Sequence, residues 1–84
     1  MARTARDTLN ELKWHGGYDL YRAEIWIADR MRPEGTRILS GAEIVDLGHR
    51  YFTTAHATIQ FYKILRISYG GRVLFARRET RASR

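Results

Sequence analysis

The 84-residue sequence contains no cysteine. That excludes disulfides, thiolate zinc sites and cysteine nucleophiles together, and it fits a reducing compartment. Proline is nearly absent too. The single one, Pro33, falls in one turn, and no linker or internal repeat divides the chain. No apolar run approaches the roughly 20 residues that cross a bilayer. The opening "MARTARDTLNELKW" lacks the apolar core of about 7–15 residues found in a secretory signal. The expected location is therefore the cytoplasm, away from membranes. Lysine is scarce as well, with Lys13 and Lys63 against thirteen arginines.

A chain of this length buries one modest core, which argues against a two-domain enzyme with a cleft. At 44% hydrophobic and 12% aromatic residues, the composition excludes wholesale disorder. Fifteen basic residues against nine acidic ones give a net charge of +6. Arginine presents a planar fork of donors suited to phosphate, and it stacks on rings and bases. A GC-rich genome also favours arginine, so placement matters more than number.

Several elements are legible along the chain. "TARDTLNELKW" reads as a short helix, with Thr4 as N-cap, Asp7 three residues on, and Ala5, Leu9 and Leu12 on one stripe. "HGG" at 15–17 ends it. "AEIWIADR" alternates as a strand, "MRPEGT" is a turn, and "RIL" is a short extended piece. "SGAE" matches a capping box, which predicts one or two helical turns over "GAEIVDLG". "YFTT" and "TIQF" form a hairpin around "AHA". "ILRISY", Gly70-Gly71 and "RVLFAR" form a second hairpin with a two-residue primed turn. The predicted fold is α+β: one domain over residues 1–78, its N-terminal helix packed on an antiparallel, barrel-like sheet. Residues 79–84, "ETRASR", have no apolar anchor and read as a flexible basic tail.

A two-residue turn places Tyr69 opposite Arg72. Strict alternation then puts Leu65, Ile67, Leu74 and Ala76 on the core face. The other face takes Arg66, Phe75, Arg77, Ser68 and Val73, with Ile64 at its far end. Leu9, Leu12, Ile25, Ile27, Ile44, Leu65, Ile67 and Leu74 are the expected core. A ring between arginines on a solvent face can stack a base while the arginines hold phosphates. A solvated face in which Arg66 covers Phe75 is the plainer reading. Tyr62 and Lys63 enter the same strand, and Arg78, Arg81 and Arg84 come after it. From Arg72 onward there are five arginines and one acid, Glu79. Charge concentrated in this way suits a phosphate-binding surface.

These pieces, in this order, resemble a known family. Leu12 with Trp14, "EIWIADR", "ILSGAEI" and "IQFYKILRISYGGRVLFAR" cover residues 8–77 and are similar to the archaeal RNA cyclic group end recognition domain family. Gln60 stands where that family has proline, Tyr62 where it has histidine, Lys63 where it has arginine, and Phe75 where tryptophan is usual. The resemblance implies an RNA-binding domain of this fold, with Tyr62 and Lys63 at the positions of the end-binding pair.

Chemistry beyond binding has little support in the sequence. His15, His49 and His56 match no metal-ligand spacing. His56 falls in a hairpin turn, and His49 is expected just after a helix end, where it would meet the helix dipole. Asp29, Glu43 and Asp46 are scattered. No catalytic residue, metal or cofactor is expected. The expected function is non-catalytic RNA binding through Tyr62, Lys63, Arg66, Phe75, Arg77, Arg78, Arg81 and Arg84, as part of a ribonucleoprotein particle such as the ribosome. Other proteins of that particle would be partners. Two alternatives are recognition of RNA ends carrying a cyclic phosphate and a protein–protein interaction module.

Overall fold

Thr4 sets the start of the helix. Its hydroxyl accepts a hydrogen bond from the Asp7 amide at 3.0 Å, and the Asp7 carboxylate accepts from the Thr4 amide at 3.4 Å. This reciprocal cap satisfies donors that a helix start leaves open. The computed structural model describes residues 4–77. Arg78, Arg81, Arg84 and the tail expected from residue 79 lie outside the described residues. Helix α1 runs Ala5–Trp14 and buries Ala5, Thr8, Leu9 and Leu12, the stripe read from the sequence.

The chain then forms seven strands: β1 (Ala23–Ala28), β2 (Thr36–Ser40), β3 (Ile44–Leu47), β4 (Tyr51–Thr54), β5 (Thr58–Gln60), β6 (Ile64–Tyr69) and β7 (Arg72–Ala76). They form two antiparallel sheets, ordered β2-β1-β6-β7 and β3-β4-β5. The α+β class is as expected, but the strands of the described residues do not close into a barrel. The chain passes between the sheets twice, each time through a 3₁₀ turn: Gly41–Glu43 going out and Phe61–Lys63 coming back. The predicted capping box at Ser40 and Glu43 is present, but it leads into strand β3 rather than a second helical turn. Val45 is exposed while Ile44 and Leu47 are half-buried, a pattern that edge-strand pairing with β4 satisfies.

The core lies between α1 and the two sheets. Leu9, Leu12, Ile25, Phe52, Ile64 and Ile67 are fully buried, joined by Ile27, Leu39, Ile59 and Phe61. Each such side chain contributes about 1.5–3 kcal/mol relative to exposure. Ile44 and Leu74 pack against this cluster half-buried, and Leu65 is half-buried as well.

Strict alternation fails twice in the last hairpin. The turn itself is as expected: Gly70 and Gly71 have φ of +57° and +83°, and Tyr69 pairs with Arg72. Two residues on, a bulge at Leu74 shifts the register, so Ile67 pairs with Phe75 and Arg66 with Ala76. On the other side of β6 the register against β1 jumps from Trp26↔Arg66 to Ile27↔Ile64, which makes Leu65 the extra residue. A bulge inserts one residue and turns the side chains beyond it over. Ile64 and Ile67, three apart, thereby both reach the core. The expected shared face of Arg66 and Phe75 is undone: Phe75 turns toward α1, Arg66 stays outside, and Ala76 is exposed.

The outgoing crossover depends on Gly41, which is buried; a Cβ there would collide with the carbonyl oxygen of Leu20. Gly41→Ala forces the 20–22 turn away from the crossover. The expected cost is about 1–3 kcal/mol, lowering the midpoint of thermal unfolding by about 4–8 °C per kcal/mol in a domain of this size. A melt monitored by circular dichroism checks it; an unchanged midpoint would show that this approach is not tight.

Candidate functional site

The returning crossover is held by three hydrogen bonds from outside the turn. The Phe61 amide donates to the Arg50 carbonyl at 3.0 Å. From β7, Arg77 donates through Nε to the Ile64 carbonyl at 3.0 Å and through Nη2 to the Phe61 carbonyl at 3.3 Å. Phe61 is buried beside Phe52, their ring centroids 5.7 Å apart. With Phe61 held inward, the same turn directs Tyr62 outward, where it is 66% exposed.

Beside this turn an open groove of about 660 Å³ runs between the start of α1, the 49–50 segment, the turn and β7. Arg6, His49, Arg50, Tyr62, Phe75 and Arg77 line it. Arg6 Nε donates to the Gly48 carbonyl at 3.3 Å, which ties the helix to the β3–β4 turn. The Arg77 guanidinium lies 5.6 Å from the centroid of the Phe75 ring. The Arg50 side chain has no partner among the described residues. One carboxylate, Asp7, also borders the groove, and it is turned onto the Thr4 amide. Three guanidiniums against one engaged carboxylate leave the groove positive. Two rings offer stacking surface in it.

Of the residues singled out by sequence, Tyr62, Phe75 and Arg77 therefore meet in one groove. Lys63 projects to the far side of Tyr62, into a neighbouring groove. Arg66 is separated from them: it lies on the sheet face away from α1, its guanidinium 4.1 Å from the centroid of the Trp26 ring. Arg78, Arg81 and Arg84 fall outside the described residues. Arg6 and Arg50 were missed. Nothing local marks them, because the contact between helix start, β3–β4 turn and β7 is made only by the fold. His49 comes after β3 rather than a helix, so it meets no helix dipole, and it lines the groove from the turn.

His15 and Asp29 have local roles. His15 Nδ1 accepts from the Gly17 amide at 3.4 Å, and His15 packs edge-on against Tyr18. Asp29 accepts from the Met31 amide at 3.0 Å and pairs with Arg37 at 3.4 Å and Arg32 at 3.8 Å. Among the described residues, no group of three histidines or carboxylates is placed to hold a metal ion. No helix among them is long and apolar enough to cross a membrane.

Comparison with known proteins places the chain among relatives by sequence. A UPF0248 protein of Archaeoglobus fulgidus is 30% identical over 70 residues, covering 82% of this chain and 99% of the relative. The chain belongs to the UPF0248 family. No family model and no solved structure matches it. Within this UPF0248 domain, the groove arginines differ in what they hold. Arg77 carries two hydrogen bonds to buried backbone, so Arg77→Met is expected to cost about 1–3 kcal/mol of stability. Arg50→Ser removes no internal contact and is expected to stay within about 0.5 kcal/mol of the parent. Urea unfolding of both variants checks this contrast; equal losses would mean that Arg50 also has a structural role.

Proposed function

We propose that this UPF0248 protein binds RNA without turning it over, holding phosphates with Arg6, Arg50 and Arg77 and stacking a base on Tyr62 beside Phe75. The observation that carries the reading is the convergence of three arginines from distant parts of the chain around exposed aromatic surface. Phosphate contacts supply affinity and position, and aromatic faces accept any base. The choice of RNA rests on the resemblance to the RNA end recognition family. A non-catalytic role fits histidines that stand apart, with Asp7 and Glu43 committed to caps and Asp29 to loop contacts. A small arginine-rich domain of this kind suits a cytoplasmic ribonucleoprotein particle, with neighbouring proteins in contact with its other faces.

Binding of a labelled single-stranded RNA, measured by anisotropy across a salt series, tests the site. Each phosphate released on single strands contributes about −0.7 to the slope of log affinity against log salt. The Arg6→Ser, Arg50→Ser double variant should lose about 1.4 of that slope. Tyr62→Ala should lose about 1–3 kcal/mol with the slope nearly unchanged. Arg66→Ser, on the opposite face, should match the parent. Absence of binding by the parent at low salt, or an equal loss in Arg66→Ser, would overturn the assignment.

The same assay addresses end recognition. Tyr62 replaces the imidazole of the resembling family, and Lys63 attracts any phosphate. An RNA ending in a 2′,3′-cyclic phosphate is therefore expected to bind within about tenfold, or about 1.4 kcal/mol, of the same RNA ending in a hydroxyl. A larger preference would make Tyr62 and Lys63 an end-binding pair.

A further inference from the structure

The groove does not end at Tyr62. On the other side lies a second, larger groove of about 980 Å³, between the 29–31 loop and the edge formed by Tyr51, Gln60 and Lys63. Tyr62 borders both grooves. The ridge between them consists of two joined segments, with Tyr51 paired to Gln60 and the Phe61 amide bonded to Arg50. Arg50 faces the first groove, with the edge of buried Phe61 at its floor, while Tyr51, Gln60 and Lys63 face the second. The two grooves are thus one residue apart, and Tyr62 stands on the crest.

The second groove repeats the chemistry of the first. Arg37 is engaged by Asp29, but Arg30 and Lys63 are exposed with no partner among the described residues. Met31 is 90% exposed and Tyr51 47% exposed at its rim, and Gln60 offers both a donor and an acceptor. Unengaged cations therefore flank Tyr62 on both sides, beside apolar surfaces open to stacking.

We propose that the two grooves form one track for single-stranded RNA, crossing over Tyr62, with Arg30 and Lys63 holding phosphates of the second half. This inference rests on the RNA-binding reading above and adds the strandedness and the length of what is bound. A single strand can unstack at the crest and present a base face to Tyr62, whereas the bases of a duplex are closed to side chains within the stack. Repeated phosphate sites on either side of a ring suit a polymer with regularly spaced charge rather than a small anion.

The test compares oligouridines of about four and about ten nucleotides with a blunt RNA duplex, using the parent and an Arg30→Ser, Lys63→Ser variant. The parent should bind the longer strand at least about tenfold more tightly than the shorter one, since two further phosphates are engaged. The variant should lose the gain with length and show a salt slope lower by about 1.4 on the long strand. The duplex should bind more weakly than the long single strand. If the parent binds no RNA, the underlying reading fails. If the parent binds but the variant keeps the length gain, or the duplex binds as tightly, the track alone fails. Displacement by polyglutamate as effective as that by unlabelled oligouridine would also overturn it, by showing that any polyanion suffices.

Discussion

The three-point anchoring of the Phe61–Lys63 turn organises both the fold and the groove. A chain that changes sheets must leave one hydrogen-bonded ladder before it joins the next, so its carbonyls need other donors. Arg77 donates to the Ile64 carbonyl and adds a second bond at the Phe61 carbonyl, which already takes the Ile64 amide within the turn, and the Arg50 carbonyl receives the Phe61 amide. A guanidinium is suited to this task because its fork reaches two acceptors at once and never loses its charge. With the turn held, Phe61 fills the core beside Phe52, β6 starts at Ile64, and Tyr62 stands outside. A side chain usually assigned to solvent is here part of what sets the register.

The two crossovers share one backbone and differ in what they carry. Ser40 and Gln60 precede them with φ, ψ of −81°, 145° and −75°, 141°. Ile44 and Ile64 succeed them at −77°, 122° and −74°, 124°. In the outgoing turn Glu43 reaches back to cap the Ser40 amide at 3.1 Å, and Gly41 lets the chain lie against Leu20. In the returning turn the equivalent of Gly41 is Phe61, and the equivalent of Glu43 is Lys63. A lysine has no acceptor with which to cap an amide, so it is free to face solvent. The same geometry thus serves packing in one place and leaves Tyr62 and Lys63 presented in the other.

Local chemistry was legible in the sequence wherever a short segment determines its own conformation. The Thr4–Asp7 cap, the Ser40–Glu43 box and the Gly70-Gly71 turn all arise from residues within four positions of each other. The burial of Leu9, Leu12, Ile25 and Ile27 matches their periodicity. The bulges at Leu65 and Leu74 were not legible, because each depends on which side chains a neighbouring element needs in the core. Ile64 outcompetes Leu65 for the interior opposite Ile27, and Phe75 turns in opposite Ile67. A single extra residue on each strand reverses the face of everything beyond it, which is why Arg66 and Phe75 part company. Arg6 and Arg50 were illegible for a related reason: their shared groove exists only once α1 and the β3–β4 turn are docked through the Arg6–Gly48 contact.

The net charge of +6 is therefore a poor guide to where an anion would bind; the commitments of individual cations are a better one. Arg32 and Arg37 share Asp29, and the Arg66 guanidinium sits over the Trp26 ring, so a ligand would have to compete for each of them. Arg6 and Arg77 are different. Each uses only part of its fork on a backbone carbonyl, which fixes the guanidinium while leaving other N–H groups available. Ordering a long side chain on binding costs about 0.5–1.5 kcal/mol, and for these two much of that ordering is already done in the free protein. Arg30, Arg50 and Lys63 lack such tethers among the described residues and would lose more freedom on meeting an anion, but there they bring charges with no internal competitor. The tethered pair lies in the first groove with Arg50, and Arg30 and Lys63 line the second, so one groove is preorganised and the other adaptable. That suits a flexible chain whose phosphates need not occupy fixed positions.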